Sequence, residues 1–263
     1  MSTSNKKFKA GIMGLTSCEG CQFAIMDLGN RFLELFKDIE IVQFRLMEEE
    51  VFVTPKMDIC FVEGSVVTKE NQKIIKEIRK QSDILVALGN CASMGGIHQI
   101  KNYHQPQKMI QEVYFHSNKI DNPEILDLEK IVKVDYTIPG CPINNLEFLK
   151  LVYSLLQSID FKISPRPVCE ECQLRGYDCV LMPDPKTGKK GQMCFGPIIQ
   201  GGCEAVCLKS NMPCQGCRGL YKGAQVNNHL KHLEEIGYSR QEINHQLEIY
   251  GLRNDVEEFI NSK

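Results

Sequence analysis

Cys18 and Cys21, in Thr16-Ser17-Cys18-Glu19-Gly20-Cys21, stand at the spacing of a redox dithiol or of half a thiolate metal site. Two further thiols sit in comparable settings, Cys91 in Gly89-Asn90-Cys91-Ala92-Ser93-Met94-Gly95-Gly96 and Cys141 in Pro139-Gly140-Cys141-Pro142. Each of these loops follows a short apolar run. Gly20, Gly89, Gly95, Gly96 and Gly140 let backbone come close and leave N–H groups free to bond sulfur. Buried structural thiols are a common alternative, but unplanned thiols would not fall repeatedly in Gly-rich loops. A thioredoxin-like pair would not need Cys91 and Cys141.

A second group is denser. Residues 161 to 217 hold eight cysteines, against five in residues 1 to 160 and none in residues 218 to 263. Cys169, Cys172, Cys179 and Cys194 make one quartet, and Cys203, Cys207, Cys214 and Cys217 make another. The thirteenth, Cys60, lies in the apolar run Asp58-Ile59-Cys60-Phe61-Val62 and reads as a small core residue. Thiolate quartets bind either zinc or iron–sulfur clusters, and spacing does not separate the two. Three quartets in one small protein favour iron–sulfur, because one structural zinc would hold a segment of this size. A zinc-stabilised interaction protein is the rival of another class.

The elements that must position these residues alternate. Phe8 to Leu15 is a short apolar run ending in a turn, and Ile25, Leu28, Phe32, Leu35 and Phe36 follow at helical spacing. An extended run covers Glu40 to Leu46, buried strands cover Asp58 to Val62 and Asp83 to Leu88, and a helix carries Ile74, Ile75 and Ile78 between them. A strand over Ile131 to Ile138 leads into a helix bearing Leu149, Val152 and Leu156. Strands alternating with helices predict an α/β, flavodoxin-like parallel sheet with helices on both faces, and such sheets bind ligands outside their carboxyl edge. The three loops carrying Cys18, Cys21, Cys91 and Cys141 should meet there.

Ser164-Pro165-Arg166-Pro167 cannot continue a helix and marks a boundary between residues 1–163 and an irregular Cys-rich domain over 164–263. Residues 165 to 219 show little periodicity, so a packed apolar core is not expected there and bound metal should supply the order. Ser239 and Glu242 form a capping box, with Ile243, Leu247 and Tyr250 on one helical face.

Composition closes off other classes. With 43% hydrophobic residues the chain can bury a core, which excludes intrinsic disorder. Lys and Arg number 31 against 33 Asp and Glu, which gives no electrostatic reason to bind nucleic acid or acidic membranes. No run reaches the ~20 apolar residues of a membrane span. The polar start, Met1 to Ala10, shows no export signal, so a cytoplasmic location is expected.

The motifs SCEGC, VEGSV at Val62 to Val66, GNCASMGGI at Gly89 to Ile97, IPGCPI at Ile138 to Ile143, PVCEEC, CFGP and PCQGC together resemble the small, electron-transferring subunit of nickel–iron hydrogenases. The resemblance runs to about residue 219. It implies three 4Fe-4S clusters: a proximal one on Cys18, Cys21, Cys91 and Cys141, a medial one on Cys203, Cys207, Cys214 and Cys217, and a distal one on Cys169, Cys172, Cys179 and Cys194. Periplasmic members begin the distal site with His and have Pro in the medial one, whereas this chain has Cys169 and Cys207. With no twin-arginine leader, the likeness is to cytosolic types, most of all the delta subunit of sulfhydrogenases. The small subunit of a heterodisulfide-reductase-linked hydrogenase is the alternative. The related subunit of respiratory complex I differs in having adjacent cysteines in the first loop.

What the resemblance implies in partners is a large subunit holding the nickel–iron site and a further electron-transfer subunit linked to flavin and NAD(P) or to ferredoxin. No catalytic residue is expected in this chain itself. Glu19 and Glu63 border the proximal loops and read either as solvated surface carboxylates or as groups supporting the cluster or a proton path near the large-subunit interface. His98, His104, His116, His229, His232 and His245 read as solvated or capping residues.

Overall fold

The computed structural model describes residues 7–47, 55–104, 110–112, 115–116, 121, 124–183 and 187–262. Two compact units divide the chain, Met1–Phe161 and Lys162–Lys263.

The first unit is built on five parallel strands, β1 (Phe8–Gly14), β2 (Ile39–Phe44), β3 (Met57–Glu63), β4 (Ser82–Leu88) and β5 (Tyr136–Ile138), in the order β2-β1-β3-β4-β5. Period-two alternation divides their side chains between two cores. Ile59, Phe61, Val86 and Leu88 face one, shared with Ile25, Phe32, Phe148 and Val152. Cys60, Val62, Leu85 and Ala87 face the other, with Ile75, Ile78 and Leu128. Helices therefore lie on both faces, which is why the central strands read as continuous apolar runs. Cys60 is fully buried in the second core, and burial pushes its thiol up to about 12.

Register matters most for the site. Gly14 pairs with Glu63, Glu63 with Leu88, and Leu88 with Ile138, so four strands end on one row at the carboxyl edge. From that row leave the chains that enter helices α1 (Gly20–Met26), α3 (Lys69–Gln81) and α4 (Gly89–Met94) and the loop before α5 (Asn145–Leu156). Helix α3 starts at a capping box in which Thr68 Oγ1 accepts from Asn71 N at 3.1 Å and Asn71 Oδ1 accepts from Thr68 N at 3.2 Å. The helix expected over Ile25 to Phe36 is two, α1 and α2 (Asn30–Leu35), because Gly29 turns the chain at φ 55° between them.

Strand β5 is shorter than the expected Ile131–Ile138 run. Before Tyr136 the chain is pinned by side chains: Asp135 Oδ2 accepts from Leu85 N at 2.9 Å and from the Arg79 guanidinium at 2.5 Å. Ile131 and Val132 instead turn back on Leu128 through 3.0 and 2.9 Å backbone bonds.

The second unit carries helices α6 (Val168–Leu174), α7 (Val206–Lys209), α8 (Val226–Glu235), α9 (Arg240–Glu248) and α10 (Leu252–Asn261). Contrary to expectation, residues 165–219 do contribute an apolar core: Val168, Phe195, Ile198, Ile199 and Leu208 are buried. They are scattered in irregular backbone, so no period betrays them, and their partners come from the tail. Phe195 meets His229 edge-on with ring centroids 6.3 Å apart. A Cβ built on Gly216 would lie 2.5 Å from Leu252 Cδ2 and 3.5 Å from Ile199 Cδ1. The Ser239–Glu242 capping box opens α9, Ser239 Oγ accepting from Glu242 N at 3.2 Å, but α9 ends before Tyr250. No helix of the described residues is long and apolar enough to cross a membrane.

Candidate functional site

At the carboxyl edge the first four thiols meet. Cys18 and Cys21 arrive with the start of α1, Cys91 within α4, and Cys141 after Gly140, whose carbonyl accepts from Asn90 N at 2.8 Å. Burial pushes Cys91 up to about 12, with Cys141, Cys18 and Glu63 adding to the rise. Burial raises Cys21 further, then Glu63, with Cys141 and Cys91 contributing, and burial followed by Cys18 and Glu63 raises Cys141. The N–H groups of Ile143 and Ile97 point at the Cys21 and Cys91 sulfurs and oppose the rise.

Two glycines are required by what lies beside them. A Cβ on Gly89, at φ 83°, would sit 2.4 Å from Cys21 Sγ, and one on Gly96, at φ 61°, would sit 2.5 Å from Cys91 Sγ. Glu63, which the sequence allows as a surface carboxylate, is 2% exposed. It closes the end of β3 by accepting from Cys21 N and Gln22 Nε2, both at 3.1 Å. Glu19 adopts φ 63° just ahead of α1, and its side chain makes no capping bond to that helix. Ser65, fully buried, bonds His98 Nδ1 through Oγ at 2.8 Å, and burial holds that imidazole below its usual range.

The other eight thiols group in the second unit as two neighbouring sets. Cys169, Cys172, Cys179 and Cys194 line a small hollow that is open to solvent and otherwise walled by apolar groups such as Val168 and Leu208. Burial raises Cys169, with Cys179, Cys194 and Cys172 adding to it. Burial raises Cys214, with Cys194 of the first set adding most and Cys217 and Cys203 less, and burial raises Cys203, to which Cys207 adds. One hydrogen bond joins the sets, Cys214 N donating to Cys194 Sγ at 3.3 Å. Between Cys203 and Cys207 the chain passes through two consecutive left-handed residues, Glu204 and Ala205, at φ 60° and 51°.

The donor chemistry fits a cationic thiolate-bound group. Protonated thiols gain nothing from being crowded, and thiolates crowded without a cation repel one another. Bound iron would release the protons and reward the crowding. Among the described residues no three Cys, His, Asp or Glu side chains close round a single metal ion.

Three residues here carry no sequence signal that makes them members of a site by themselves. His229, expected to be solvated or capping, is buried with Nε2 2.9 Å from the Cys194 carbonyl oxygen, and burial pulls its imidazole down to about 4. Glu171, inside the CEEC motif, accepts from Gly202 N at 2.6 Å and lies 4.0 Å from Cys203 Sγ. Arg218 is 3% exposed beside Cys217. A charged residue inside or next to a Cys-x-x-Cys motif is the one hint the sequence offers for the last two.

The family described as NADH ubiquinone oxidoreductase, 20 Kd subunit, matches residues 18–155. Sulfhydrogenase 2 subunit delta of Pyrococcus furiosus is 31% identical over 231 residues, spanning 87% of this chain and 93% of that protein. One subunit of the vhu F420-non-reducing hydrogenase of Methanocaldococcus jannaschii is 30% identical over 234 residues, 80% of this chain and 81% of that protein. A solved NAD+-reducing NiFe-hydrogenase in the H2-reduced state shares the fold, with a TM-score of 0.54 and 24% identity over 60% of this chain and 96% of that chain.

Proposed function

From the premise that this chain belongs to the NADH ubiquinone oxidoreductase 20 Kd subunit family, on its hydrogenase small-subunit side, we propose that it is the iron–sulfur electron-transfer subunit of a cytoplasmic nickel–iron hydrogenase. The observation that carries this reading is the convergence of Cys18, Cys21, Cys91 and Cys141 on one edge of the sheet, in loops whose glycines leave space at sulfur. Cys203, Cys207, Cys214 and Cys217 would hold a medial 4Fe-4S cluster, and Cys169, Cys172, Cys179 and Cys194 a distal one. Clusters bound at these sites supply one-electron transfer at potentials set by ligation, hydrogen bonding and exposure.

The chain's own residues do the rest. Glu63 ties the Cys21 loop to the end of β3, so the first sulfurs keep their places relative to the sheet. Cys18 and Cys141 are exposed, and Phe23, Ile97 and Leu146, from the segments that follow the three cysteine loops, are 52%, 57% and 44% exposed. An apolar rim around half-open thiols suits a permanent partner, the nickel–iron large subunit, and such interfaces bury more than roughly 2,000 Å². At the outer end the partner is a subunit serving NAD(P) or ferredoxin. The likeness to part of an F420-non-reducing hydrogenase keeps a second reading, with a heterodisulfide-reductase-linked partner there.

Anaerobic purification of the tagged chain with its partners tests this. The expected result is about twelve irons per chain, negligible zinc, and a co-purifying subunit that contains nickel. Zinc in place of iron would sink the proposal and leave the interaction-protein reading. Hydrogen oxidation by the isolated chain would also contradict it.

A further inference from the structure

Arg218 is an unusual residue to find at a thiolate site. It is only 3% exposed, and its Nε donates to the carbonyl oxygens of Gln200 at 3.1 Å and Gly201 at 3.0 Å, the two residues that lead through Gly202 into Cys203. On the same short segment Glu171 approaches with the opposite charge. Its Oε1 accepts from Gly202 N at 2.6 Å and its Oε2 lies 4.0 Å from Cys203 Sγ. A backbone bond from Gly201 N to Arg166 O at 2.7 Å completes the clamp. One thiol is thus held in a loop gripped from two sides by opposite fixed charges, the cation almost wholly buried.

Burial gives such charges leverage, because the field of a charge in a poorly polarisable surrounding is screened far less than in water. A cation near a cluster favours the electron-rich form and raises the reduction potential, while an anion lowers it. Glu171 also belongs to the helix that carries Cys169 and Cys172, so it touches the segment of one quartet while being built into the other.

We propose that Arg218 and Glu171 are positioning residues that set the reduction potential of the cluster held by Cys203, Cys207, Cys214 and Cys217, Arg218 raising it and Glu171 lowering it. This rests on the assignment of that quartet to a cluster.

The test is a redox titration of the purified hydrogenase complex, followed by electron paramagnetic resonance, with iron counted in every sample. Glu171→Gln keeps the shape and the acceptor for Gly202 N, and should raise the potential of that cluster. Arg218→Met should lower it, and Arg218→Lys should return it toward the wild-type value. Each charge removal is expected to change the oxidised-to-reduced ratio at fixed potential about tenfold, equivalent to about 59 mV for one electron. Should Arg218→Met fail to fold, the upward shift in Glu171→Gln decides alone. Full iron content with an unmoved potential in Glu171→Gln overturns the proposal, and so do shifts of the same sign in Glu171→Gln and Arg218→Met. Cys203→Ala separates potential tuning from cluster binding: retention of all iron in that variant would overturn the cluster assignment itself, and the proposal with it.

Discussion

Cys207 and Gly96 are the residues on which the cluster assignments are most exposed to test. Cys207 is exposed on a helix of one turn, and its thiol reaches its quartet through Cys203. Cys207→Pro should leave three ligands and convert that site to a three-iron cluster of higher potential, so iron falls by about one per chain and a new spectroscopic signature appears. Unchanged iron and spectrum would remove Cys207 from the ligand set. Gly96→Ala tests the first quartet without touching a thiol. Its Cβ would meet Cys91 Sγ at 2.5 Å and Cys91 Cα at 2.9 Å, at a φ of 61° that alanine resists. Iron should drop by about four per chain while far-ultraviolet circular dichroism stays that of the wild type.

The elements position these residues through polar locks as well as through packing. Helix α3, strand β4 and the approach to β5 are joined at Asp135, which binds Leu85 N and Arg79, while Lys133 lies 3.2 Å away. Burial pushes the Asp135 carboxyl up, but the Leu85 N–H, Arg79 and Lys133 together outweigh it and hold the group below its ordinary 3.8. A carboxyl depressed in the folded state stabilises above its unfolded pKa and loses that contribution as pH falls through the lower folded value. Asp135→Asn should therefore cost about 1 kcal/mol at neutral pH, and the gap to wild type should shrink below about pH 4. Melting curves at neutral and acid pH measure this, and a gap that persists in acid would mean that the carboxylate's charge is not what locks the strand.

For the whole molecule, two units are held in different ways. The sheet of the first buries Phe61, Leu88, Ile25 and Phe148 in one continuous apolar core. In the second unit Phe195, Ile198 and Ile199 are buried, yet the described residues of 173–183 and 187–190 are largely exposed, and within them Cys179 lies close enough to raise the Cys172 thiol further after burial. Removing the clusters should loosen that stretch first. Limited proteolysis of cluster-free protein is expected to cut within about residues 177–183 or 187–192, leaving the first unit and the tail helices as resistant fragments identifiable by mass spectrometry. Early cleavage within α8 or α10 would show that the tail, too, depends on metal.

How much of this is legible in the sequence divides along a physical line. Period-two and helical patterning is local, so the alternation of strands and helices, the two-faced sheet, the small core residue Cys60 and the capping box at Ser239 can all be read from neighbours in the chain. The thiol sets can be named because cysteine chemistry belongs to the residue type and the loops fall where parallel strands end. Burial of charge is not local. Glu63 is hidden because Cys21 and Gln22, some 40 residues away in the chain, fold over it. Arg218, Glu171 and His229 join the second unit's sites through carbonyls, amides and sulfur brought in from other loops. The scattered apolar residues near Cys194 likewise form a core only when the tail helices pack on them. Residue types and spacings determined what this chain could bind. Only the tertiary structure decided which charges surround the thiols, because a charge's surroundings are set by segments far apart in sequence.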